Sequence, residues 1–293
     1  MKIELVLDSR ATIGESLTWV PEEQALYWAD IKAPALYKTD VGTWTTRSWN
    51  LPSDVGAFAL DGAGHALVAL RTGLYWLTLA TGALTLQTAA PFDPSLLRFN
   101  EGACDSAGRF WIGVMCDPLG NTKASVAGSL YSFTKRDGLR AHHDRCTLFN
   151  GMGWNSDESQ FYLSHSYENI IFRFAYDRQT GHLGSKTEFV HLDEPGGIPD
   201  GAAIDREGGY WCAVHGAGLL HRYTSDGKLD SVIPMPVSQP TMCCFAGDDL
   251  KDLYITSARE KLSQEQLRKE PNAGGMFRLR PSVGGQAKHW RVT

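Results

Sequence analysis

"DREGGYWCAV", residues 205–214, couples a polar, glycine-bearing turn to a short strand rich in aromatic and small apolar residues. Asp and Gly supply the turn chemistry, and Tyr, Trp and Val favour the strand that follows. The same pairing recurs as "PEEQALYWAD" (21–30), "DGAGHALVAL" (61–70), "DSAGRFWIGV" (105–114), "SDESQFYLSH" (156–165) and "DDLKDLYITS" (248–257). Measured between Asp61, Asp105, Asp157, Asp205 and Asp249, the steps are 44, 52, 48 and 44 residues. A period of that size matches one four-stranded propeller blade.

Two further segments repeat in phase. A small, apolar strand precedes each turn: "GESLTWV", "VGAFAL", "NEGACD", "NGMGWN", "DGAAID" and "TMCCFAG". A third strand follows it: "PALYKTD", "GLYWLTL", "GSLYSFT", "IIFRFAY", "GLLHRYT" and "GGMFRLR". Fourth strands are weaker, with "TTRSWNL", "SKTEFVHL" and "LDSVIPM" as the best fits, and helical periodicity is confined to "SQEQLRKE" (263–270). Six copies predict an all-β, six-bladed β-propeller of four-stranded blades, residues 1–293 forming a single domain. Eight blades at this period would need about 320 residues. Closure requires an outer strand from the opposite end of the chain, and "KIELVLD" (2–8) suits that role.

Composition narrows the function. Thirty Gly and 31 aromatic residues (nine Trp, ten Tyr, twelve Phe) fit short strands and tight turns. Net charge is −5 with no basic block, which argues against a nucleic-acid or anionic-membrane partner. No run approaches the roughly 18 apolar residues of a membrane span. The start, "MKIELVLDSRATIGES", lacks the apolar core of a secretory signal, so a cytoplasmic location is expected. Six cysteines without a CxxC pair read as free buried thiols, Cys243 and Cys244 as core residues. "AHHDR" (141–145) reads as a solvated stretch of an outer strand.

In a propeller the first strand of each blade lines the central channel. The residues leading those strands are Glu15, Val55, Asn100, Asn150, Asp200 and Thr241. Asn or Asp before Gly is ordinary turn chemistry, but four side-chain oxygens at equivalent places of a repeat point at one axis. Glu15, Asn100, Asn150 and Asp200 thus suggest a site for a hard cation or polar ligand. No GxSxG elbow occurs, which removes the serine-hydrolase route.

At these residues the sequence resembles the SMP-30/gluconolactonase/luciferin-regenerating (regucalcin-like) family. The resemblance rests on "GESLTWVPEEQALYWADI" (14–31), "RFNEGACDSAGRFWIGVM" (98–115), "FNGMGWNSDESQFYLSHS" (149–166), "IPDGAAIDREGGYWCAV" (198–214), "TMCCFAGDDLKDLYITSAR" (241–259) and "AGGMFRL" (273–279). It implies one divalent cation on Glu15, Asn150 and Asp200, with Arg98 and Asn100 turned toward substrate. The implied activity is hydrolysis of a sugar (aldono-)lactone to the aldonic acid, by a monomer or weak homo-oligomer. Ca²⁺, Mg²⁺ and Mn²⁺ suit oxygen ligands, and Zn²⁺ or Fe²⁺ also fit three ligands with open positions. Asp200 is the first candidate for general base; metal-bound hydroxide and direct attack by Asp200 are the competing schemes. Two departures touch substrate reading. Pro118 stands where some animal members carry an acid, with Asp117 nearby, and His165 stands where many relatives have Asp. Asp117 and His165 therefore join the candidate substrate residues. His215, at the end of another second strand, reads as structural. Alternative functions are organophosphate hydrolysis, cation binding without turnover, and a strictosidine-synthase-like propeller, which would not call for Glu15 and Asp200 as a pair.

Overall fold

The computed structural model describes residues 1–120 and 125–293. Among them, 24 strands form six four-stranded antiparallel sheets. Five sheets take their strands in sequence order; the sixth runs from the N-terminal strand through three strands of the last blade. Residues Glu4–Leu7 pair with Met276–Leu279, so the N-terminus closes the ring as expected. The first strands, Gly14–Val20, Val55–Leu60, Leu97–Cys104, Phe149–Trp154, Ile198–Ile204 and Pro240–Ala246, contact one another in cyclic order around the axis. The predicted helix is present as Gln264–Lys269, its start fixed by a capping box between Ser263 and Gln266. No helix among the described residues is long and apolar enough to cross a membrane.

The opening stretch owes its form to one carboxylate. Asp205 Oδ1 accepts the backbone N–H groups of Glu207 and Gly209, which shapes the turn. Its Oδ2 accepts Trp211 Nε1 at 2.9 Å and Arg222 Nε at 2.7 Å, which ties the turn to the second and third strands. Asp105 does the same in the third blade, through Ala107 and Arg109 N–H and Trp111 Nε1. Trp111 and Trp211 are fully buried and pack between sheets. Truncating such a side chain costs about 3–5 kcal/mol.

Each first strand carries a register shift near its start: Glu15/Thr18, Val55/Ala57, Phe99/Gly102, Asn150/Gly153, Pro199/Ala202 and Pro240/Cys243. A bulge bends the strand and re-aims one side chain. The glycines here are obligatory on contact grounds. A Cβ on Gly56 would lie 2.2 Å from the Phe99 carbonyl oxygen, and one on Gly201 would lie 2.1 Å from Met242 Sδ.

One outer strand, Leu84–Ala89, went unread in the sequence, and Gly138–Cys146 was read only through its "AHHDR" stretch. Leu84–Ala89 is exposed along most of its length and lacks the alternation that marks a half-buried strand. The stretch after the last repeat, from Pro281, crosses the channel mouth opposite the leading residues. It bridges Asp205, Cys104 and Leu60 through Gly285, His289 and Arg291.

Deleting residues 2–8 leaves Met276–Leu279 as an open sheet edge. Loss of several kcal/mol is expected, a fall in Tm of roughly 10 °C or more for a chain of this size, with concentration-dependent aggregation. Calorimetry and light scattering check this; an unchanged Tm and a monodisperse protein would refute closure by that strand.

Candidate functional site

The bulges put Glu15, Asn100, Asn150 and Asp200 at one mouth of the channel, where they line a common cavity of about 170 Å³. All four are buried, with 3–7% of their surface exposed. Arg98 and Asp117 line the same cavity, together with Lys32, Tyr167, His215 and Lys261.

The amides are oriented by a chain of hydrogen bonds. Asn150 Nδ2 donates to Ser166 Oγ at 3.0 Å, which turns its Oδ1 inward. Asn100 Nδ2 donates to Asn150 Oδ1 at 2.7 Å and to the Phe149 carbonyl. Asn100 Oδ1 accepts Arg98 Nη1 at 2.7 Å. Arg98 Nε donates to Asp117 Oδ2 at 2.9 Å, while Nη2 meets only the weak acceptor Met115 Sδ. Nη2 is thus the edge of Arg98 available to a ligand.

A third buried acid, Glu101, sits beneath this layer. Its carboxylate accepts the N–H groups of Gly151 and Met152, the amides that the fourth blade's bulge withdraws from the ladder. Among the described residues, no Lys, Arg or His comes within ion-pair distance of Glu15, Glu101 or Asp200, although salt bridges are plentiful elsewhere, as in the Asp54–Asp117 cluster. The electrostatic consequence is plain. Burial pushes Glu15 up to about 8, and the charge of Glu101 adds to it. Burial raises Glu101 to about 7 against the pull of Lys288. Asp200 is driven well above the carboxylate range by burial, then by Glu15 and Glu101. Desolvated like charges of this kind need protons or a cation. Two carboxylates and an oriented amide oxygen are a donor set that suits a divalent ion. Glu15, Asn150 and Asp200 fit that role.

Asp117 and His165 fall differently. Asp117 Oδ2 accepts from three cations at once, Lys32 at 2.6 Å, Arg71 at 2.7 Å and Arg98. Burial works upward on its pKa, but the Lys32 hydrogen bond and the Arg98 charge outweigh it and set it at about 2. It faces the cavity as the counter-ion that fixes Arg98. His165 is not among the cavity's lining residues. Its ring is buried against Phe149 and Phe172, with Nε2 at 2.7 Å from Asp144 Oδ2. It lies one residue before Ser166 and supports the site from behind. His215 does line the cavity, and burial, aided by the Lys261 charge, lowers it to about 4, so it is neutral there.

Sequence reasoning missed Glu101, Ser166, Lys32 and Lys288. Glu101 left a signal: its equivalents one place past the leading residue are Ser16, Gly56, Gly151, Gly201 and Met242. An acid among small or apolar residues is out of pattern. Lys288 belongs to the tail outside the repeat, and nothing periodic marks it.

Six blades and an axial cluster of buried oxygen donors define a propeller with a polar small-molecule site at one mouth. Residues 13–259 match the model of the SMP-30/gluconolactonase/LRE-like region, and the chain belongs to that family. It is 34% identical to a 6-deoxy-6-sulfogluconolactonase of Pseudomonas putida, over 98% of this chain and 97% of that one. Identity to the regucalcin of Gallus gallus is 31%, over 95% and 94%. Among solved structures, a calcium-binding protein, regucalcin, from Agrobacterium tumefaciens superposes with a TM-score of 0.90 at 28% identity, covering 98% of this chain and 97% of that one.

Replacing Asp117 by Asn removes the charge that Lys32, Arg71 and Arg98 share. Breaking a buried pair costs about 3–5 kcal/mol; with Asp54 still present and Asp117 partly exposed, about 1–3 kcal/mol is expected. A depressed carboxylate stabilises the fold above its ordinary pKa of 3.8 and loses that contribution as pH falls toward about 2. The Tm gap between wild type and variant should therefore be full at pH 7 and close on acidification. Equal Tm at pH 7 would remove Asp117 from this role.

Proposed function

We propose that the chain hydrolyses the ester bond of a sugar (aldono-)lactone to give the aldonic acid, with a divalent cation held by Glu15, Asn150 and Asp200. The observation that carries this reading is the set of phase-equivalent, buried oxygen donors with no ion-pair partner among the described residues, opening on a cavity with Arg98 and Asn100 on its wall. The gluconolactonase and sulfogluconolactonase names borne by the family and by the Pseudomonas putida relative agree with it. The calcium-binding regucalcin relative agrees with the cation.

When bound, the cation supplies Lewis-acid polarisation of the lactone carbonyl. Asp200, ionised beside that charge, takes the proton of the attacking water as general base. After the ring C–O bond breaks, the same carboxyl returns the proton to the departing ring oxygen, which becomes a hydroxyl. Arg98 offers Nη2 hydrogens to substrate oxygens, and Asp117 holds the guanidinium in plane for this. Asn100, fixed between Arg98 and Asn150, sets the distance between the cation's ligands and the substrate-reading side. Glu101 anchors the Gly151–Met152 amides and so keeps Asn150 aimed.

The test uses protein stripped of metal and reloaded with Ca²⁺, Mg²⁺, Mn²⁺, Zn²⁺ or Fe²⁺, presented with pentono- and hexono-lactones while acid release is followed. Metal-dependent acceleration is expected with at least one lactone. Asp200→Asn should lower kcat by about 10²–10⁴-fold, and Ca²⁺ or Mg²⁺ should no longer raise its Tm. At an ion concentration 100 times Kd, wild type should gain about 2.7 kcal/mol. A Tm gain without turnover on any lactone would leave a cation-binding protein and sink the lactonase reading. Full activity of Asp200→Asn would refute the assigned base.

A further inference from the structure

Flanking Asn150 along the chain lies a second constellation with metal-ligand chemistry, built by two blades. The outer strand of the third blade ends at Cys146, and the second strand of the fourth blade ends at His165. A three-residue turn, Ser166–Glu168, follows directly. One ligand atom each from Cys146, His165 and Glu168 lie within 4.8 Å of one another. We propose that Cys146, His165 and Glu168 form a second metal site, for a thiophilic divalent ion of the zinc class, separate from the oxygen site on the axis.

Three features beyond proximity carry this. First, the ring is oriented as metal-bound imidazoles are. Nδ1 faces Glu168 Oε2 at 3.3 Å, while Nε2 is held at 2.7 Å by Asp144 Oδ2, whose other oxygen receives Lys186 Nζ at 2.6 Å. A carboxylate on the far nitrogen fixes the tautomer and raises the basicity of the near one. Second, the Cys146 side chain is held in place at the strand end: its Sγ receives the backbone N–H of Leu148 at 3.3 Å and donates to the Leu148 carbonyl at 3.2 Å. Third, the donor set is graded. Cys146 and His165 are buried, whereas the Glu168 side chain is 52% exposed, which provides an approach path and a place for a solvent ligand. Sulfur with imidazole selects zinc-like ions over Ca²⁺ or Mg²⁺, so the two sites differ in preference.

The ion would act on the axial site through the turn it closes. Ser166, between His165 and Glu168, holds the Asn150 amide, and Tyr167 lines the axial cavity. Fixing both ends of this turn fixes the hydrogen bond that aims Asn150. Cys146 and His165 thereby become positioning residues rather than catalytic ones.

Cobalt distinguishes the sites without recourse to turnover. Stripped wild-type protein titrated with Co²⁺ should bind two ions per chain, one of them producing thiolate-to-cobalt charge-transfer absorption in the near ultraviolet. Cys146→Ser should lose that band and one ion. Glu168→Ala, altered at an exposed position that the fold tolerates, should bind the band-forming ion about 10-fold or more weakly, and Asp144→Asn about 10–100-fold more weakly. Asp200→Asn should lose the other ion and keep the band, whatever the fate of the lactonase reading. Circular dichroism and Tm establish that each variant is folded; if Cys146→Ser is not, Glu168→Ala and Asp144→Asn decide. Absence of the band at saturating Co²⁺, or its persistence unchanged in folded Cys146→Ser or in both other variants, would overturn the proposal.

Discussion

The structure turns on one backbone device, a bulge placed at the same point of all six first strands. Strands converging on an axis have no room for ordinary side chains; a Cβ at Gly56 or Gly201 would already overlap the neighbouring blade. The bulge relieves that crowding by letting two residues face one on the partner strand. It also turns the preceding side chain to the channel mouth. Four oxygen-bearing residues share one cavity because the same local solution to packing is repeated in each blade. The clustering of oxygen donors here is a by-product of closing a ring.

The bulge has a second effect, on charge. It withdraws the Gly151 and Met152 amides from the ladder, and these then need an acceptor. Glu101 supplies it across the interface from the third blade. A carboxylate that repairs a backbone defect thereby becomes the third negative group beneath Glu15 and Asp200. Beside the cavity the balance is opposite: Asp54 and Asp117 stand among Lys32, Arg71 and Arg98, each acid directly paired. One wall is saturated and rigid, while the axis is left with unpaired acids. That contrast is what makes a cation on the axis more than a matter of residue type.

The division between what could and could not be read from the sequence follows the repeat. Blade number, closure by the N-terminal strand and the order of first, second and third strands were legible, because burial imposes a pattern on each copy. The outer strand Leu84–Ala89 was not, since solvent along most of its length leaves no alternation to read, and Gly138–Cys146 was legible only in its "AHHDR" stretch. In the site, Glu15, Asn100, Asn150 and Asp200 were legible by phase, and the cavity does bring them together with Arg98 and Asp117. His165 shows the limit of phase: a residue at a strand's end can turn to either side, and burial against Phe149 and Phe172 took it away from the cavity.

Lys288 shows why the rest needed three dimensions. It belongs to a tail with no counterpart in the blades, yet that tail crosses the far mouth and sends the lysine up the channel to the Leu17 carbonyl at 3.4 Å. There its charge pulls down the pKa of Glu15 and Glu101 without pairing with either. A cation at that depth softens the repulsion between Glu15 and Glu101 without forming an ion pair with either. Had it reached ion-pair distance, it would have competed with any ion entering from above. The tail therefore sets an intermediate condition: enough positive charge below to ease the burial of Glu15 and Glu101, and too little to neutralise them.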